Sequence, residues 1–340
     1  MTSDLPVIAV AMGDPAGISP ELLARLLAEP DIRSSARLVV FGDRRVLAMG
    51  AEVARLTPDV AVVPAESAIG PDTGRPAFVD LKNADLAGIT IGKATLAGGK
   101  FATDNFRHAL RMAAAGNADA VFFTPFNKAA MRLAYPGYDD EIRFIRDVLG
   151  FDAPASEFNI LDGLWNARVT SHIPLSEVSK NITSERIQRA LELTDACLRA
   201  AGVEKPRIGV AAINPHAGDG GNFGREEIDI IEPALVKVRA QGFNAQGPYP
   251  SDTVFLRAQN GDFDAVLTMY HDQGQIAMKL MGFHRGVTLI GGFPFPICTP
   301  AHGTAYEIAG KGIANLGASR AAMLLAIRMA SERRRRRAAA

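Results

Sequence analysis

The stretch Ile208-Gly209-Val210-Ala211-Ala212-Ile213-Asn214-Pro215-His216-Ala217-Gly218-Asp219-Gly220-Gly221 joins two signals in one segment. It opens on a continuous apolar run of the kind that forms a strand buried on both faces. It then breaks into Asn, Pro and glycine, which end a strand and leave open space around an imidazole. The pattern recurs. Residues 167–170 run into Thr170-Ser171-His172-Ile173-Pro174, and residues 265–269 run into Met269-Tyr270-His271-Asp272-Gln273-Gly274. The chain has only 6 histidines, so three of them at strand ends concentrate the metal-binding side chains in one structural setting.

Outward from these segments, strands alternate with helical patterns. Residues 7–12 read as a strand, 20–27 as a helix, 36–41 as a second strand, 95–115 as a long helix and 118–124 as a buried strand. A polar stretch, 127–140, reads as loop before a helix over 141–149, and a final helical pattern covers 314–331. Alternation of this kind predicts an α/β protein with a mostly parallel sheet and crossover helices. No repeat and no flexible linker interrupts it, which predicts two α/β domains flanking a cleft. The expected division is discontinuous: 1–125 with 300–335, and 126–299 carrying the histidines.

Composition narrows the function class. With 340 residues, 48% of them hydrophobic, the chain can bury one large core or two ordinary ones. Its formal net charge of +0 gives no electrostatic case for nucleic acid, and the basic run Arg333 to Arg337 reads as a solvated tail. No apolar stretch reaches the length of a membrane span and no secretory signal opens the chain, so a cytoplasmic enzyme without membrane partners is expected. The 2 cysteines, Cys197 in a helix and Cys298 in a loop, lack zinc-site spacing and are expected to be reduced.

Two features carry the chemistry. The turn Gly13-Asp14-Pro15-Ala16-Gly17-Ile18-Ser19-Pro20 follows a strand and opens a helix, with Ser19 suited to cap it and Pro20 to begin it. Amides there either hold an anion or simply form a tight capped turn. The motif is neither of the usual nucleotide fingerprints, so no cofactor-binding residue is assigned. The histidines carry more. One such histidine is ordinarily structural, but three imidazoles at strand ends suit zinc or another divalent ion and leave positions open for substrate oxygens. His172, His216 and His271 lie too far apart in sequence for a local motif, so only the fold or a neighbouring subunit can join them.

These segments, in order with Thr124-Pro125-Phe126-Asn127-Lys128, Ser251-Asp252-Thr253 and His302-Gly303-Thr304-Ala305, resemble the 4-hydroxythreonine-4-phosphate dehydrogenase family of vitamin B6 (pyridoxine) biosynthesis. The resemblance spans nearly the whole chain. It implies an isocitrate/isopropylmalate dehydrogenase-like fold and an oxidoreductase using NAD or NADP with a divalent metal (Zn, Mg or Co). It further implies metal ligands at His172, His216 and His271, with one supplied across a homodimer interface that carries the active site. Lys279 matches a substrate-binding lysine, and Lys279, Asp252 and Asp272 can serve proton transfer. The implied reaction is oxidation of a hydroxy acid followed by decarboxylation.

The pocket departs from the family pattern. Gly137-Tyr138-Asp139-Asp140 stands where Gly-His-Thr-Glu is usual, Thr288 replaces an asparagine, Ile297 an arginine, and Ala301 an acidic residue. Losing the arginine removes a bidentate anion partner, and Asp139 introduces repulsion toward the same groups. Tyr138, Asp139, Thr288 and Ile297 are therefore the expected substrate-pocket differences. They widen the substrate to a phosphorylated sugar acid or a carboxylated cis-dihydrodiol of the terephthalate type. A metal-free phosphate acyltransferase-like enzyme and a noncatalytic ligand-binding relative are the alternatives from other classes.

Overall fold

A computed structural model describes residues 5–64 and 74–339. The described strands are β1 (Val7–Ala11), β2 (Arg37–Gly42), β3 (Ala61–Val63), β4 (Ala77–Asp80), β5 (Ala120–Phe123), β6 (Ser156–Leu161), β7 (Leu164–Arg168), β8 (Ile208–Ala211), β9 (Ala245–Tyr249), β10 (Ala265–Thr268), β11 (Val287–Gly291) and β12 (Ile297–Pro300). The chain forms two compact units, Met1–Ala153 with Phe293–Ala340, and Pro154–Gly292.

In the first unit the strands pair in the order β3-β4-β2-β1-β5-β12, all parallel. β1 and β5 are buried along their whole length, as their unbroken apolar sequences require. The helix Leu96–Ala114 packs on β1, capped by the Thr95 hydroxyl accepting from the Gly98 amide. Helix Gly317–Ala339 returns to this unit against β5 and β12. It continues through the arginine run rather than releasing it as a tail: Arg334 pairs with Asp119 at 3.3 Å, and Arg335 and Arg336 pair with Glu332.

The division differs from the sequence reading at both boundaries. Residues 126–153 and 293–299 belong to the first unit. The cause is aromatic packing. Phe126 stacks on Phe123 with centroids 4.4 Å apart, and Phe144 stacks on Phe106 at 5.6 Å, tying this segment to β5 and the long helix. The supposed loop 127–140 also contains a helix, Lys128–Ala134, capped by Asn127 accepting from Ala130.

In the second unit the order is β11-β6-β7-β10-β8-β9. β11, β6 and β7 pair antiparallel, whereas β7, β10, β8 and β9 are parallel neighbours. The core between this sheet and its helices includes Leu161, Ala211, Val254, Phe255, Phe263, Val266 and Met278. Among the described residues no helix is long and apolar enough to cross a membrane.

Cys298 lies in β12, not in a loop, and both cysteines are free and buried. Burial pushes the Cys197 thiol up to about 12, and Cys298 rises by the same cause. A raised folded value keeps both as neutral thiols, inert to a thiol reagent at pH 8 until the protein unfolds, which Ellman titration with and without denaturant checks. Packing gives a second expectation. A Cβ on Gly99 would lie 1.9 Å from the Ala130 carbonyl oxygen, so Gly99→Ala must push two helices apart. It should destabilise the protein by about 1–3 kcal/mol in urea unfolding, and an unchanged midpoint would contradict this packing.

Candidate active site

Parallel pairing decides where the histidines go. β7, β10, β8 and β9 are consecutive and parallel, so their carboxyl ends share one edge of the sheet. His172 follows β7, His271 follows β10, His216 follows β8 and Asp252 follows β9. That edge is where open α/β sheets hold ligands.

There the rings of His172 and His271 lie with centroids 5.5 Å apart, inclined at 43°. Two imidazoles sharing one tetrahedral ion through bonds of roughly 2 Å place their ring centres about 5 Å apart, so this spacing suits a shared divalent cation. His271 Nδ1 lies 2.6 Å from Asp272 Oδ1. A carboxylate on Nδ1 restrains the ring and leaves Nε2 as the nitrogen not engaged by Asp272. The third histidine is not part of such a set within one chain. Among the described residues no group of three or more His, Cys, Asp or Glu side chains is placed to hold a metal ion.

The backbone under two of the histidines is strained. His172 has φ 54°, and His216, Ala217 and Asp219 have φ 53°, 54° and 45°. With Gly218 and Gly220 they form a continuous left-handed turn after β8. Such a conformation costs a non-glycine residue about 1–2 kcal/mol, and strain of this kind gathers at functional sites where neighbouring contacts enforce it. The enforcing group is Glu227, 1% exposed, which sequence reasoning missed. Its Oε1 accepts from the Ile213 and Asn214 amides at 2.9 and 2.8 Å, and Oε2 from Asn214 Nδ2 at 2.9 Å. An acidic residue in a Glu-Glu-Ile-Asp run reads as a solvated helix face, and nothing in its spacing marks it as buried.

The remaining candidates divide between the units. In the second, Asp252 is exposed in the first turn of helix Ser251–Gln259, and Lys279 is exposed on helix His271–Gly282. Thr288 lies in β11 with its hydroxyl 3.5 Å from Asn159 Nδ2. In the first unit, Tyr138 is 1% exposed and Ile297 0%, so both side chains are core residues there rather than surface contacts. Asp139 is exposed and ion-paired with Arg143 at 2.5 Å, and Lys128 faces Glu141 at 3.5 Å.

The first turn is a closed structural device. Asp14 is 1% exposed, its Oδ1 accepts from the Ala16 amide at 2.8 Å and its Oδ2 from the Tyr306 hydroxyl at 2.5 Å. Burial raises its pKa, against the lowering effect of those two hydrogen bonds. The Gly13, Asp14, Gly17 and Ile18 amides donate to Thr124 Oγ1, Pro125 O, Asp14 O and Thr304 O. Those amides are thus committed to protein acceptors rather than turned toward an anion. Ser19 lies inside the helix, donating to the Pro125 carbonyl at 2.7 Å instead of capping.

The parallel strands, the paired imidazoles at their carboxyl edge and the strained loop beside them define an α/β protein with a candidate ligand site in its second unit. Residues 34–326 match the family described as pyridoxal phosphate biosynthetic protein PdxA, and the chain belongs to that family. It is 63% identical over 335 residues to the "Putative 4-hydroxythreonine-4-phosphate dehydrogenase 2" of Rhizobium meliloti, covering 98% of this chain and 96% of that protein. It is 35% identical to the D-threonate 4-phosphate dehydrogenase of Pectobacterium atrosepticum, over 95% of this chain and 99% of the relative. The crystal structure of 4-hydroxythreonine-4-phosphate dehydrogenase from Klebsiella pneumoniae superposes with a TM-score of 0.82 at 34% identity, covering 96% and 99% of the two chains. By the names of these relatives, the family is one of dehydrogenases.

The left-handed turn makes a direct prediction. Replacing Ala217 (φ 54°) by glycine relieves about 1–2 kcal/mol of strain and costs roughly 0.5–1 kcal/mol in unfolded-chain entropy. Ala217→Gly is therefore expected to be neutral or mildly stabilising in urea denaturation. A loss above about 1 kcal/mol would show that residue 217 is not left-handed in solution.

Proposed function

We propose that the chain is an NAD(P)-dependent, divalent-metal-dependent dehydrogenase that oxidises a phosphorylated hydroxy acid to a β-keto acid, which then loses carbon dioxide. The observation that carries this reading is the His172–His271 pair, with Asp272 on Nδ1 of His271, at the carboxyl edge of four parallel strands. The names of the relatives supply the substrate class, both being 4-phosphorylated four-carbon compounds.

In this reading His172 and His271 hold the ion, zinc being the borderline cation that imidazole suits. When bound, a divalent cation lowers the pKa of a coordinated alcohol and polarises the ketone that replaces it. A side-chain base would take the alcohol O–H proton, and a bound nicotinamide would supply the acceptor for the hydride on the carbon that bears that hydroxyl. Decarboxylation then breaks the bond to the carboxylate carbon, its electron pair moving toward the ketone oxygen, and a proton returns to carbon. Lys279 Nζ and the Asp252 and Asp272 carboxylates are the groups assigned to these proton movements and to substrate oxygens. Asp139 does not forbid a phosphate, because Arg143 at 2.5 Å compensates its charge.

A second copy of the chain completes the reading. Two imidazoles lie together where an open catalytic site uses three protein ligands. Helix His271–Gly282 also presents an exposed stripe one turn beyond His271, with Ile276 at 62% and Leu280 at 84% exposure beside Asp272 and Lys279. Adjacent apolar side chains this open are the kind that a partner surface covers. The reading is thus a cytoplasmic homodimer, with His216 as the ligand supplied across the interface.

The test is reduced-nicotinamide absorbance with 4-hydroxythreonine 4-phosphate and D-threonate 4-phosphate in turn, with zinc, magnesium or cobalt and with chelator. Turnover of at least one compound, lost on chelation, is expected. His271→Ala should cost more than the roughly 10–100-fold that removal of an outer-shell partner costs. Full activity in that variant, or in chelated enzyme, would refute metal ligation.

A further inference from the structure

Four separate segments carry His172, His216, Asp252 and His271, and one side chain outside that set touches the backbone beside them. Gln273 Oε1 accepts from the Met269 amide at 2.7 Å. Gln273 Nε2 donates to the Ala212 carbonyl at 2.7 Å and lies 2.9 Å from Ser251 Oγ, while Ser251 Oγ itself donates to Ala212 O at 3.1 Å. Ala212 is the residue from which the His216 loop departs, Ser251 precedes Asp252, and Met269 precedes His271 by two. The fourth segment joins through the same residue, Met269, on its carbonyl side. Its carbonyl accepts from the Thr170 amide at 3.1 Å and the Thr170 hydroxyl at 2.8 Å, two residues before His172.

We infer that Gln273 is a positioning residue whose amide locks the His216, Asp252 and His271 segments, and through Met269 the His172 segment, into one register. The inference rests on the proposed reading of these residues as the metal and substrate site. The chemistry requires an amide. A single planar group must accept from one peptide and donate to a carbonyl and a hydroxyl on two others, which among uncharged side chains only Gln and Asn can do. Ala212 and Met269 are 0% exposed, so loss of the amide leaves a buried carbonyl and a buried N–H without that partner. The strands alone cannot supply this function. Their backbone bonding reaches only to Ala212 N–Tyr249 O at 2.8 Å and Thr170 N–Met269 O at 3.1 Å, short of every site residue.

Gln273→Glu keeps the acceptor for Met269 but replaces both donors by a carboxylate oxygen facing the Ala212 carbonyl. Gln273→Met removes all three bonds at similar volume, and Ser251→Ala removes only the hydroxyl branch. Zinc affinity of each full-length variant is measured by competition with a chromophoric chelator, alongside the thermal midpoint of the chelated protein and His271→Ala as reference. Expected is a loss of affinity of about tenfold or more for Gln273→Glu and Gln273→Met and a smaller loss for Ser251→Ala, in protein that still melts cooperatively. If His271→Ala loses zinc while both Gln273 variants bind it as tightly as the parent, the positioning role is overturned and the histidine site stands. A lowered melting point with unchanged zinc affinity overturns it equally, because Gln273 would then serve only the fold. If His271→Ala binds zinc like the parent, the histidine site itself fails and the inference falls with it.

Discussion

Everything at the candidate site depends on the parallel pairing of β7, β10, β8 and β9. Ala265 pairs with Trp165 on one side and Ile208 on the other, which sets three strands in one direction and brings their exits to one edge. Turning one strand round would send its histidine to the opposite edge. The pairing is stable because its central strands, β10 and β8, are buried along their length and carry apolar side chains on both faces, so the sheet needs helices above and below it. The helix His271–Gly282 meets that sheet closely, since a Cβ on Gly274 would lie 2.1 Å from Asn166 Oδ1. Only a residue without a side chain permits that approach, and it determines how near His271 and Lys279 ride to the strand ends.

Those same apolar runs are why the architecture was legible. Buried parallel strands leave a continuous hydrophobic record, and the strand ends predicted beside His172, His216 and His271 are strand ends in the fold. The unit boundary was not legible in the same way. Residues 126–153 look like a change of character because they are polar at the surface, yet their few aromatic residues reach back to Phe106 and Phe123. Membership of a unit is a property of tertiary contacts, and the rings of Phe126 and Phe144, set against Phe106 and Phe123, outweigh the polar majority of that stretch.

At the site, residue types were readable and their mechanics were not. The imidazoles at strand ends announce themselves, but the left-handed backbone at His172 and His216 does not, since histidine's enrichment in that conformation is too slight to mark a position and alanine has none. Glu227 was invisible for the converse reason: burial turns an ordinary surface acid into the clamp of a loop. Tyr138 and Ile297 stand out as replacements in a pocket motif, yet both fill the core of the first unit. A substitution at a motif position changes a contact only when the backbone presents that side chain to the ligand.

The strained loop and the glutamine bridge are two solutions to one mechanical problem. A site built from four separate strand exits is tied by backbone bonds only at the first residues of those exits, Ala212 to Tyr249 and Thr170 to Met269, and the loops beyond need something outside the sheet to fix them. The left-handed turn stores on the order of 3–6 kcal/mol over its three non-glycine residues. The three hydrogen bonds accepted by Glu227, at about 1.5–3 kcal/mol each to a charged group, are of the size needed to enforce it. The two clamps also divide the work. Glu227 shapes the His216 loop internally, whereas Gln273 ties the exit of that loop at Ala212 to the exits of β9 and β10. Shape without registry would present a well-formed ligand in the wrong place, and registry without shape would leave the imidazole unaimed.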